Sequence, residues 1–114
     1  MTAKFDTGGP ITKERAENAT QWLVDNAVNI AEAKAERDRA EHMLKVVKAM
    51  AMKASGESSA AAQEREALAS DRYLTQINVV FEATKTHETL LATARAANTL
   101  IEVWRSINST LRNV

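Results

Sequence analysis

The sequence contains no cysteine, which excludes disulfide bonds, thiolate metal sites and cysteine nucleophiles together. Neither of the two histidines, His42 and His87, forms part of a metal-binding motif at helical spacing. Glycine-rich phosphate loops, nucleophile elbows and Ser-His-Asp sets are missing as well. We therefore expect a protein that is not an enzyme, that has no cofactor or metal, and that takes no small-molecule substrate.

Neither sign of charge dominates, because fifteen Lys and Arg residues balance fifteen Asp and Glu residues. Without a basic block, a surface for nucleic acid would have to be created by folding or by assembly. No apolar run approaches the roughly 18 residues of a membrane span. Residues 1–10 also lack the basic start and apolar run of a signal peptide. These absences predict a soluble, cytoplasmic protein that does not bind membranes.

Helix-breaking residues are confined to two places. The single proline and two of the three glycines form Gly8-Gly9-Pro10, and the third glycine is Gly56. The two remaining stretches each exceed forty residues without proline or glycine, which indicates long helices. We predict a flexible arm at residues 1–10 and one helical domain at residues 11–114. Within the domain, the first helix spans residues 12–55, the connector spans residues 56–70 and the second helix spans residues 71–112.

Polar residues at the predicted helix ends favour the same boundaries. Thr12 and Ser70 are suitable N-caps for the two long helices. Gly56 is suited to a left-handed residue that would end the first helix. Within the connector, Ser58 or Ser59 resembles a helix cap, so we expect a short helix there.

Bulky apolar residues are also scarce, with two Trp, two Phe and one Tyr, and alanine dominates the apolar class. Alanine contributes little transfer free energy, so stability must come from helix length, close approach and oligomerisation. Apolar residues of the first helix recur every seven positions. One line of this repeat is Ala16, Leu23, Ile30, Leu44 and Ala51, and the other is Ala19, Ala33, Ala40, Val47 and Ala54.

The second long helix carries a wider apolar stripe, which could meet more than one neighbour. Its members are Tyr73, Ile77, Val80, Thr84, His87, Leu91, Ala94, Asn98, Ile101, Trp104, Asn108 and Leu111, widened by Phe81, Leu90, Leu100 and Ile107. Polar residues interrupt both stripes, and we expect them to fix register or oligomer number. They are Asn26, Arg37, Thr84, His87 and Asn98.

These patterns predict an all-α fold, a long antiparallel, coiled-coil-like helical hairpin with a short connector helix, which assembles into an oligomeric helical bundle. A turn centred near Gln63 would place Trp22 opposite Trp104 and pair Arg37 with Glu88. Close packing at the open end is the favoured role of both tryptophans. The predicted seam consists of Trp22, Leu23, Ile30, Arg37, Leu44, Val47, Ile77, Val80, Glu88, Leu91, Ile101 and Trp104.

The connector carries a dense group of polar residues that is either a solvated turn or a surface for a partner. Cations gather there beside Tyr73, whose ring could stack on a base of single-stranded nucleic acid. Acidic neighbours dilute this basic character. The candidate partner-binding or nucleic-acid-binding residues are Lys48, Lys53, Gln63, Arg65, Arg72 and Tyr73.

Two segments of the chain carry a resemblance. The run from Ser55 to Ala67, followed by Ser70-Asp71-Arg72-Tyr73, and the later Ile101-Glu102-Val103-Trp104-Arg105 resemble small helical proteins encoded by tailed bacteriophages and prophages. Members of that group tend to be encoded among genes for DNA recombination and single-strand binding. The resemblance implies an accessory role in phage DNA metabolism, in the cytoplasm of the host cell.

Two functions follow as hypotheses. The first is a non-enzymatic phage accessory protein of DNA recombination or replication, which binds single-stranded DNA or a recombination or single-strand-binding protein through the connector. The second is a helical-bundle module that binds a host or phage protein, such as a defence or replication factor, without touching DNA. In both, the chain also associates with itself.

Overall fold

A computed structural model describes residues 8–112 and contains three α-helices in that part of the chain. Helix α1 spans Lys13–Ala54, α2 spans Ala60–Leu68 and α3 spans Asp71–Arg112. No strand occurs among the described residues, and the two long helices pack against each other. The all-α prediction is therefore confirmed. Most of the predicted N-terminal arm, residues 1–7, lies outside the described part of the chain.

Each helix begins at a hydroxyl that accepts a backbone N–H from the first turn. Thr12 Oγ1 accepts from the Arg15 N–H at 3.2 Å, as predicted for α1. Ser59 Oγ accepts from Ala62 at 3.1 Å and caps α2. Ser70 Oγ accepts from Tyr73 at 3.3 Å and caps α3. These bonds satisfy N–H groups that have no acceptor within a helix.

The end of α1 differs from the prediction. Among the described glycines, the one with a positive φ is Gly9, at 78°, so Gly56 does not adopt the left-handed conformation expected of it. Instead the Ser55 N–H donates to the Met52 carbonyl at 3.2 Å, and the Ser55 hydroxyl accepts the Glu57 N–H at 3.0 Å. The helix thus ends with a backbone bond from Ser55 to Met52, and no left-handed glycine is used.

The described residues form two compact units, and residues 8–31 and 88–112 make up the first. Its core is a cluster of Ala16, Ala19, Ala97 and Leu100, against which Ile11, Leu23, Ile101 and Trp104 pack. Trp22 is buried but does not belong to this cluster. The buried Asn26 amide donates to the Trp22 carbonyl at 2.9 Å, so its polar group is satisfied within its own helix.

The second unit is Glu32–His87, in which α1 and α3 run antiparallel. Arg37 contacts His87, and the Gln76 side chain donates to the Ala40 carbonyl at 3.0 Å. A turn centred at Gln63 would instead place Ala40 opposite Thr86, ten residues or about 15 Å beyond Gln76. A glutamine side chain is too short for that distance. The pairing at Gln76 therefore departs from the predicted register by more than one helical turn, whereas the contact of Arg37 with His87 lies one residue from the predicted partner, Glu88.

Burial follows the predicted seam at most positions and departs from it at several. Five seam alanines, Ala16, Ala19, Ala33, Ala40 and Ala51, are buried as expected. At the position that the stripe assigned to Asn98, the buried residue of α3 is its neighbour Ala97. Four further residues of the predicted apolar stripes are exposed. They are Ala54, Phe81, Ile107 and Leu111.

The carboxylate that pairs with Arg37 is that of Asp38, at 3.1 Å, and Glu88 is exposed. The other predicted seam residues are buried or half-buried, namely Trp22, Leu23, Ile30, Leu44, Val47, Ile77, Val80, Leu91, Ile101 and Trp104. None of the described helices is both long enough and apolar enough to cross a membrane.

Candidate functional site

The connector between α1 and α3 is held by side chains that hydrogen-bond across the turn. The Ser55 hydroxyl donates to Glu66 Oε2 at 3.0 Å, which ties the end of α1 to α2. Gln63 donates from Nε2 to the Glu57 carbonyl at 3.0 Å. On the inner side of α2, Ala67 is almost completely buried. The connector is therefore an ordered helical turn with a defined outer surface.

Lys48 and Glu64 form an ion pair with a distance of 2.8 Å from Nζ to Oε1. The hydrogen bond to Glu64, followed by its charge, raises the Lys48 pKa, and Tyr73 makes a smaller contribution in the same direction. The same hydrogen bond and the charge of Lys48 lower the pKa of Glu64. Because the Glu64 pKa is lowered, the ion pair stabilises the fold at pH values above the ordinary pKa range of a carboxyl group. This stabilisation is lost as the pH falls through the lowered pKa.

The six candidate binding residues therefore separate into two groups. Lys48 is neutralised by Glu64, and the Gln63 amide is occupied by a backbone carbonyl. Within the described part of the chain, Lys53, Arg65 and Arg72 are exposed and form no ion pair. The half-buried Tyr73 lies near Lys48. The cationic character of the connector thus rests on three side chains rather than on all four of the predicted cations.

Four acidic residues lie among these cations and limit the field that they produce. Glu57, Glu64, Glu66 and Asp71 are all exposed on the connector or at the start of α3. Phosphate binding depends on a local excess of positive charge. The connector has little such excess, although Lys53, Arg65 and Arg72 remain available to an anionic partner.

A second candidate site lies in the first unit, on the outer face of α3. Ala96, Thr99, Val103 and Ile107 follow one another at steps of three and four, so they lie along one side of the helix. The stripe contains no charged residue, and Val103 and Ile107 are exposed. A surface of this kind is suited to packing against another helix.

An open groove of about 320 Å³ runs beside this stripe. It is lined by Gly9, Ile11, Arg15, Ala96, Thr99, Leu100 and Val103. The Arg15 guanidinium donates from Nη1 to the carbonyls of Gly9 and Pro10, at 2.8 and 2.6 Å. These bonds hold the segment before α1 at the edge of the groove. The groove is thus lined both by apolar side chains and by polar groups that include the Arg15 guanidinium.

This site was not predicted from the sequence, because Ile107 and Leu111 were placed in the single wide apolar stripe of the second long helix. The spacing of Ala96, Val103 and Ile107 was visible, but a second apolar stripe on one helix cannot be distinguished from a wide single stripe without the register. No group of His, Asp and Glu side chains suited to a metal ion occurs among residues 8–112.

Comparison with known proteins adds no assignment. The chain matches no family model, no curated protein and no solved structure.

Proposed function

We propose that the protein is a non-enzymatic helical interaction module that binds an amphipathic helix of another protein, of phage or host origin. The observation that best supports this proposal is the uncharged stripe of α3, which consists of Ala96, Thr99, Val103 and Ile107. A groove adjoins this stripe. In helix-in-groove recognition, an apolar face with anchors three or four residues apart enters such a groove. The resemblance to small phage helical proteins supports a partner that acts in phage DNA recombination or replication.

A second function is direct binding of single-stranded DNA or of an acidic recombination protein at the connector. It is favoured by Lys53, Arg65 and Arg72, which are exposed and not engaged in ion pairs within the described residues. The half-buried Tyr73 supplies a ring for stacking. The ion pair of Lys48 with Glu64 and the surrounding carboxylates weaken this alternative.

Site-specific photo-crosslinking distinguishes the two functions. A photoreactive residue in place of Val103 should capture one partner protein, and one in place of the exposed Val28 serves as the control. The captured protein is then purified, and its binding is measured with the wild type and with Ile107→Asp. Binding that resists nuclease and moderate salt and that Ile107→Asp abolishes supports the proposal. Equal capture from both positions contradicts it.

The connector is tested in parallel by fluorescence anisotropy with a labelled single-stranded oligonucleotide. Phosphate contacts weaken steeply between about 50 and 200 mM salt. Salt-sensitive binding that is lost when Lys53, Arg65 and Arg72 are all changed to Gln would favour the second function. Absence of binding at the lower salt concentration would eliminate direct recognition of DNA by this surface.

A further inference from the structure

The outer face of α3 in the second unit carries a stripe that is distinct from the groove. Asp71, Leu74, Asn78, Phe81 and Lys85 are separated by steps of three and four residues, and all five are exposed. Leu74 is 49% exposed and Phe81 is 66% exposed, although both are large and apolar. The stripe lies about half a turn away from the buried His87 on the helical wheel. The five side chains are thus accessible in the second unit, and Asn78 also borders an open cavity beside Ala33 and Glu36 of α1.

The residues along this stripe are ordered so that two copies of it, lying antiparallel, are complementary to each other. It reads acidic, apolar, amide, apolar and basic from Asp71 to Lys85. When two copies of α3 lie antiparallel about a twofold axis at Asn78, Asp71 of each copy faces Lys85 of the other. Leu74 then lies beside Phe81 of the second copy, and the two Asn78 side chains meet at the axis. In such an interface the same patch serves both subunits, so every favourable pair occurs twice.

We infer that this face binds a second copy of the chain in that antiparallel arrangement. Asp71 and Lys85 form no ion pair within the described residues, so both charges are available to the second copy. A parallel arrangement would oppose like charges at both ends of the stripe and is disfavoured. The paired Asn78 amides can hydrogen-bond to each other and thereby fix the register.

The size of the stripe sets the expected strength of the dimer. Fifteen residues of helix extend over about 22 Å. One helix face of that length lies at the low end of the areas that specific interfaces bury. We therefore expect a dimer that dissociates in the micromolar range, which sedimentation equilibrium of the full chain can resolve.

Charge exchange tests the pairing. Asp71→Lys alone places two lysines opposite each other in each pair, and Lys85→Asp alone places two aspartates there. Each should raise the dissociation constant about tenfold, and the double variant should return it towards the wild-type value. Asp71→Lys also removes an acidic residue from the first turn of α3, so helicity is monitored by circular dichroism. Because the double variant retains that loss, recovery of the dimer can only come from the pairing.

Phe81→Ser tests the apolar part of the stripe, with Val28→Ser as a control of the same 66% exposure on α1. Phe81→Ser should raise the dissociation constant at least tenfold, whereas Val28→Ser should leave it unchanged. The inference is overturned by a chain that stays monomeric at all concentrations. It is equally overturned by a dimer that ignores Phe81→Ser, or by a double charge variant that dimerises no better than the single ones.

Discussion

Arg37 shares its guanidinium between two acceptors of different chemistry. Its Nε and Nη2 atoms donate to Asp38 Oδ1 at 3.3 and 3.1 Å, and Nη1 lies 3.1 Å from His87 Nδ1. A guanidinium has no acceptor, so Nδ1 must accept and the imidazole proton must be on Nε2. His87 is only 5% exposed. Arg37 therefore supplies a donor to a ring nitrogen inside the helix pair.

Arg37→Met should lower the free energy of unfolding by about 1–3 kcal/mol, because it leaves a buried ring nitrogen without its donor. The measurement is urea unfolding followed by circular dichroism. Arg39→Met is the matched control, since Arg39 pairs with Glu36 on the surface with 69% of its side chain exposed. That substitution should change stability by less than about 0.5 kcal/mol. Equal effects of the two substitutions would show that the contact with His87 does not stabilise the fold.

Residue-scale features were predictable where they depend on sequence neighbours. Thr12 and Ser70 cap their helices as expected because a cap bonds within three residues of itself. The partner of Arg37 was not predictable in this way. Its choice between Asp38 and Glu88 depends on the register of the opposite helix, which a single sequence does not contain.

At the scale of the helix, the alanine seam determines how α1 and α3 pack. Ala19 and Ala97 have no exposed surface at all, and both belong to the cluster that forms the core of the first unit. Small side chains at these points allow the two backbones to approach closely. We expect dispersion attraction along this seam to contribute to packing where the buried side chains are small.

A larger side chain in this seam should separate the helices. Ala19→Leu is expected to lower the free energy of unfolding by about 1–3 kcal/mol through overpacking. Ala27→Leu places the same side chain at an exposed position of α1 and should be nearly neutral. Thermal unfolding of both variants provides the comparison. If Ala19→Leu were as stable as Ala27→Leu, the close packing at this seam would be disproved.

Helix boundaries were predictable and helix register was not, for one physical reason. Proline and glycine mark the ends of α1 locally, and the predicted helix of residues 12–55 agrees with Lys13–Ala54. Register depends on distinctive side chains that fit in only one place. Alanine at Ala33, Ala40 and Ala51 presents the same small surface at each position, so the pattern does not discriminate between neighbouring alignments.

For the whole molecule, the balance between buried and exposed apolar surface is unusual. Among the described residues no large side chain is fully buried, whereas eleven large apolar side chains are exposed. A chain of 114 residues without cysteine has no disulfides to add to its stability. The association with a second copy inferred above would cover part of this exposed apolar surface, and we expect it to contribute to stability.

Stability should accordingly depend on protein concentration. The thermal midpoint should rise as the concentration increases from about 5 to 500 μM, because association stabilises the folded chain by mass action. Differential scanning calorimetry over that range gives the measurement. Phe81→Ser should reduce the slope if the outer face of α3 forms the contact. A midpoint independent of concentration would mean that the isolated chain supplies all of its own stability.

The Ser70 hydroxyl has a consequence for cooperativity. It donates to the Ala67 carbonyl at 2.7 Å and accepts the Tyr73 N–H at 3.3 Å, so one side chain completes the end of α2 and the beginning of α3. Fraying of either helix end would remove one of the two bonds that this hydroxyl makes. We therefore expect the amide hydrogens of the last turn of α2 and of the first turn of α3 to exchange at similar rates.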